Sequence, residues 1–136
     1  MKESLPRIVF FQIKTAQQKL QKLSQTAYHH FDRKISLCII TPNDEAKKFV
    51  DELLWKEPLL SFLPHGNSPD DLIAITSKKE NLNKATHFFN LRPNALFVKN
   101  NYIIYEFDDQ TSLIKQELSQ KKYREYREKG YIIESR

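Results

Sequence analysis

The chain has 136 residues, 40% hydrophobic and 29% charged, with a net charge of +5 and only two glycines, Gly66 and Gly130, where average usage gives roughly nine or ten. That scarcity excludes a dinucleotide fingerprint, a phosphate-cradling P-loop and a G-x-S-x-G nucleophile elbow, each of which needs clustered glycines. A single cysteine, Cys38, excludes intrachain disulfide frameworks and zinc ribbons.

Residues 7–13 (RIVFFQI) form a nearly continuous apolar run rich in β-branched and aromatic residues, which predicts a buried strand. A helical stripe follows through Ala16, Leu20, Leu23, Ala27 and Phe31, and a second unbroken apolar run covers residues 35–40 (ISLCII). Runs of this kind suit strands covered on both faces, as in parallel sheets, so strand, helix and strand read as a βαβ unit. Thr41 is the expected N-cap of the next helix, with Pro42 at its first position and Asp44 and Glu45 in its first turn. The apolar stripe of this helix is Ala46, Phe49, Val50, Leu53 and Leu54, and Pro58 ends it. Short strands are expected over residues 72–76, 86–91 and 101–107. A helix capped by Thr111 or Ser112 then runs to about Lys129, where Gly130 stops it, and residues 131–133 add a last strand. The reading is a single three-layer α/β domain over residues 1–136, with a largely parallel sheet flanked by helices.

Charge is unevenly spread. Residues 1–34 carry seven Lys/Arg against two Asp/Glu, residues 35–110 eight against eleven, and residues 111–136 seven against four. The positive excess belongs to the two ends and favours anionic partners, nucleic acid among them. No signal peptide is expected at the start, and no apolar run approaches the ~18 residues of a membrane span. The lone cysteine fits a reducing compartment, so a cytoplasmic location is expected.

No catalytic constellation emerges. His29 and His30 are neighbours on a helix and diverge by about 100°, so one metal cannot take both. His87 lacks Asp, Glu or Cys at ligand spacing, and Cys38 sits inside an apolar run, as a buried inert thiol does. No metal and no cofactor is expected. Two places carry more. Trp55 falls about 180° from the centre of its helix's apolar stripe, and the Pro-punctuated apolar segment 58–65 follows it. Trp55 either closes over that loop or belongs to an exposed aromatic surface of the kind that marks an interface. The second place is residues 121–129 (KKYREYREK), where Tyr123, Arg124 and Arg127 share neighbouring helix faces. Such a set is either a solvated charged face or a site for a phosphate or carboxylate beside an aromatic shelf.

At these two places the sequence resembles the chi subunit of bacterial DNA polymerase III. The first block runs from Asp44-Glu45 through Val50-Asp51-Glu52-Leu53-Leu54-Trp55 to Phe62-Leu63-Pro64-His65-Gly66. The second is Tyr123-Arg124-Glu125-Tyr126-Arg127-Glu128-Lys129-Gly130-Tyr131, like the family's terminal Y-x-x-Y-R-x-x-G-aromatic. The resemblance implies a nucleotide-binding-like α/β topology without a phosphate loop and a non-catalytic accessory subunit in DNA replication. That subunit pairs with psi, which ties it to the clamp loader, and it binds the acidic, Phe-ending C-terminal tail of the single-stranded-DNA-binding protein. DNA is then met mainly indirectly. Carried over by motif, Trp55, Phe62, Leu63, Pro64 and His65 belong to the psi-facing surface, and Tyr123, Arg124 and Arg127 with Lys121 and Lys122 to the tail-binding surface. Gln120 stands where family members often carry an arginine. The alternative reading is a basic α/β domain that binds nucleic acid directly, and a small α/β enzyme has the least support.

Overall fold

The computed structural model describes residues 5–56, 63–99 and 101–136. Its centre is one six-stranded sheet of order β3-β2-β4-β5-β1-β6, with every pairing parallel. The strands are β1 (Arg7–Ile13), β2 (Leu37–Ile40), β3 (Ile73–Thr76), β4 (His87–Asn90), β5 (Ile103–Asp109) and β6 (Ile132–Ser135). Three helices join them: α1 (Ala16–Arg33), α2 (Asp44–Lys56) and α3 (Leu113–Glu128). The expected α/β layers are present, and the parallel character extends to the whole sheet.

Alternation along β1 divides the core in two. Val9, Phe11 and Ile13 point to one face, where they pack with Leu23 and Ala27 of α1 and Val50 and Leu54 of α2. Ile8 and Phe10 point to the other, with Tyr126 of α3 and with Ala85, Ala95 and Leu96 from the segments flanking β4. Helices α1 and α2 therefore cover one face, and α3 covers the opposite one.

Element ends show where local hydrogen bonds outvote apolar pattern. The second strand begins at Leu37 and not at Ile35, because the end of α1 claims the intervening residues. Lys34 adopts a left-handed conformation (φ 58°) and the Ile35 N–H donates to the His30 carbonyl at 2.9 Å. Thr41 does not cap α2. Its hydroxyl is fully buried and lies 3.0 Å from the Thr76 carbonyl, while Asn43 Oδ1 accepts the Ala46 N–H at 2.8 Å. The cap thus sits two residues later than the Thr-Pro signal predicts. Phe49, expected in the core, is 53% exposed.

At α3 the expectation holds. Ser112 is the N-cap, its side chain accepting the Lys115 N–H at 3.2 Å, and Gly130 (φ 78°) follows the helix end. Replacing Ser112 by alanine removes the one side-chain acceptor at this terminus. The expected loss is about 1 kcal/mol in urea unfolding, with an unchanged m-value.

Candidate functional site

The first surface lies at the end of α2. The helix continues through Trp55 to Lys56, so Trp55 points away from the buried stripe and is 44% exposed. Its ring rests on His65, with centroids 4.3 Å apart. His65 is buried beneath it. Nδ1 lies 2.7 Å from the Leu63 carbonyl, and Nε2 lies 3.0 Å both from the Asp51 carbonyl and from Asp51 Oδ1. Leu63 is fully buried in the α1/α2 core, and Gly66 forms an isolated parallel bridge with Ala74 of β3. Residues 63–66 are thus tied both to α2 and to β3. Of the five residues expected to face psi, Trp55 and Pro64 present surface, whereas Leu63 and His65 form the layer beneath. Phe62, together with Pro58, Leu59 and Leu60, lies outside the described residues.

The second surface is the outer side of α3. Tyr123, Arg124, Arg127 and Lys121 are exposed, and the Tyr123 ring packs on Phe10 of β1 at 5.9 Å. Lys122 is different. It is buried, and its ammonium donates to Glu106 Oε1 at 2.7 Å. Glu106 sits inside β5 with no solvent exposure, and its other oxygen accepts from Tyr126 O–H at 2.5 Å and from Asn90 Nδ2 at 2.7 Å. Tyr126 O–H in turn accepts the Leu96 N–H at 2.8 Å. Burial pushes the Glu106 carboxyl above the usual carboxylate range, while Lys122 and the three hydrogen bonds pull it back. The charge of Lys122 is therefore spent on the core, and the surface cations of this helix are Lys115 in its first turn and Lys121, Arg124 and Arg127 in its second half.

A crevice opens at the carboxyl ends of the strands, the usual ligand position in open parallel sheets. Its volume is about 350 Å³, and Leu20, Phe49, Val50, Leu91, Pro93 and Leu118 give it an apolar lining. Lys19 stands at its rim, paired to Asp109 at 2.7 Å. This explains Phe49: its ring lines the crevice instead of closing it. No glycine loop approaches the crevice, since β1 passes into α1 through Lys14 and Thr15, the latter capping the helix through the Gln18 N–H at 3.1 Å. Among the described residues no group of three or more His, Cys, Asp or Glu is placed to hold a metal ion. Cys38 is fully buried, and burial pushes its thiol up, away from reactivity.

His30, His87 and Tyr105 meet between α1 and the sheet. The His30 Nδ1–H donates to the Ile35 carbonyl at 2.9 Å, and its Nε2 accepts from Tyr105 O–H at 2.8 Å. The ring of His87 lies 4.7 Å from that of His30. Burial, helped by His30, pushes the His87 pKa down to about 4, and burial lowers that of His30 as well. Both rings stay neutral in the folded protein at pH values where the unfolded chain is already protonated, so acid favours unfolding. Stability falls from pH 6.5 towards pH 4.5, and His87→Phe reduces that fall. Urea midpoints measured across the interval check this; an unchanged pH slope in the variant contradicts it.

Sequence reading missed the Glu106–Lys122–Asn90 network and the crevice. One signal for the network was present: Glu106 is the single acid in an otherwise apolar run, with Lys122 and Tyr126 four apart on the following helix. Among known families, the one described as DNA polymerase III chi subunit, HolC, matches residues 5–134. Among curated proteins, none matches the chain.

Proposed function

The chain belongs to the DNA polymerase III chi subunit family, and from that membership we propose that it is a non-catalytic accessory subunit joining two protein partners during replication. One partner is psi, which connects it to the clamp loader, met through Trp55 and Pro64. The other is the acidic C-terminal tail of the single-stranded-DNA-binding protein, met through Tyr123, Arg124 and Arg127 with Lys121. The whole of residues 1–136 acts as one domain, in the cytoplasm.

The observation that carries this reading is the separation of the two surfaces. Trp55 belongs to α2 on one face of the sheet, and Arg124 and Arg127 belong to α3 on the other. Two partners bound there do not collide, which is what a linker needs. The chemistry of each surface suits its partner. An exposed tryptophan on a fixed base is a common interface anchor. Guanidinium groups beside a tyrosine suit a carboxylate-rich tail that ends in an aromatic residue.

Affinity purification of the tagged chain from cells of its own source tests the reading. Recovery of the clamp loader and the single-stranded-DNA-binding protein together is the expected result. Recovery of neither, with the replication proteins present in the lysate, overturns it.

A further inference from the structure

His30 and His65 are both buried, yet their surroundings call for different protonation states. His30 meets a carbonyl on one side and the Tyr105 hydroxyl on the other. A hydroxyl can donate, so a single ring proton satisfies this histidine. His65 has no such neighbour. Its Nδ1 lies 2.7 Å from the Leu63 carbonyl, and its Nε2 lies 3.0 Å from both the Asp51 carbonyl and Asp51 Oδ1. Carbonyls and an ionised carboxylate only accept, so all three oxygens call for an N–H. A neutral imidazole has one N–H and turns the lone pair of its other nitrogen against an oxygen. The imidazolium donates from both nitrogens. The side chain is fully out of solvent, so solvent does not resolve the conflict.

The charges around the ring favour the same state. Asp51 touches it, and among the described residues no lysine or arginine lies at ion-pair distance from that carboxylate. Lys47 and Lys48, one turn earlier on α2, oppose it from a groove that Asp44, Asp51 and Gly66 share with them. From the segment ahead of β3, Asp71 lies against Gly66, the residue after His65, and adds a third carboxylate. Trp55 stands four residues after Asp51 and so on the same helix side. Its ring centroid is 4.3 Å from that of His65, and a cation at such a distance is attracted to an indole.

We propose that His65 positions Trp55 as a doubly protonated imidazolium, so that the psi-facing surface weakens when the ring loses a proton. The interface half of this rests on the psi reading; the protonation half concerns this chain alone. Loss of one proton sets a lone pair against a buried oxygen. The Asp51 carboxylate is 46% exposed and can turn away. The Asp51 carbonyl is fixed in α2, and Leu63 is fully buried. Residues 63–66 then shift from α2, and the indole loses its base. Histidine is the side chain whose charge ordinarily changes near neutral pH, so the surface responds there.

Trp55 is the only tryptophan in the chain, so its fluorescence reads the ring against it. An imidazolium accepts an electron from an excited indole more readily than an imidazole does, and it quenches more strongly. In the chain alone, emission is expected to rise as pH goes from about 6 to about 8.5, an interval in which carboxylates and amines keep their charge. The other histidines, His29, His30 and His87, belong to α1 and β4. Over the same interval the affinity for psi falls at least about threefold, less than the full cost of a stranded buried acceptor. His65→Gln keeps an amide N–H near the Nε2 position and does not titrate, so both responses vanish while psi still binds. A role in packing alone predicts that this variant differs from wild type by one factor at every pH. Asp51→Asn changes an exposed side chain and serves where His65→Gln does not fold. Its amide N–H can donate to a neutral Nε2, which moves the emission change to lower pH. Ring nitrogen chemical shifts at about pH 6 are expected to show both His65 nitrogens protonated. Flat emission in wild type, a change that persists in His65→Gln, or one unprotonated His65 nitrogen overturns the proposal. A psi affinity that stays constant while emission titrates overturns the positioning role. Emission that titrates while psi binds at no pH overturns the psi reading and supports the protonation state.

Discussion

Replacing Lys122 by methionine lowers the stability of the protein by about 3–5 kcal/mol, because it leaves a buried carboxylate without its counter-charge. Glu106 has no exposure and Lys122 very little, so water replaces neither partner. Asn90 and Tyr126 still donate to Glu106, but two neutral donors do not offset an isolated buried charge. Adding Glu106→Gln recovers most of the loss, since the amide oxygen keeps both acceptor roles and no charge remains. The double-mutant cycle, measured by urea unfolding, reports a coupling well above the few tenths of a kcal/mol typical of independent sites. The penalty in Lys122→Met shrinks as pH falls, because burial already pushes the Glu106 carboxyl up and the protonated form has no charge to bury. A loss under about 1 kcal/mol contradicts the account. The consequence reaches the surface: this network fixes the rotation of α3 and thereby turns Tyr123, Arg124 and Arg127 outward.

The second large effect is on binding. The double variant R124A/R127A weakens the acidic, Phe-ending tail peptide by at least about tenfold in calorimetry, equivalent to about 1.4 kcal/mol. Both side chains are exposed, so the effect falls as salt rises. Tyr123→Ala removes the ring that lies on Phe10 and weakens the peptide with less salt dependence. Gln120→Arg adds a cation to the same exposed helix side and strengthens the peptide. Equal affinity for wild type and R124A/R127A removes these arginines from the site.

The strands were legible because burial on both faces leaves unbroken apolar runs, and residues 7–13 coincide with β1 without a shift. The outer faces of α2 and α3 were legible too: Trp55 is exposed on the side its helical angle indicates. What escaped depends on tertiary pairing. The cap of α2 moved to Asn43 because the Thr41 hydroxyl lies against the Thr76 carbonyl, 35 residues away. Phe49 matched the apolar stripe, yet it lines a crevice whose other walls come from α1, β5 and α3. Lys122 carries the same charge as Lys121 and sits beside it, and only the buried Glu106 distinguishes them. Leu63 and His65 sat in the right motif but serve as the base on which the exposed residues stand.

In the proposed reading two partners occupy opposite faces of the sheet at once. Calorimetry of the tail peptide into the chain alone, and into the chain saturated with psi, tests it most directly. Equal peptide affinities are expected, with Trp55→Ala losing psi and keeping the peptide while R124A/R127A does the reverse. Displacement of the peptide by psi, or loss of both partners in either variant, contradicts the account.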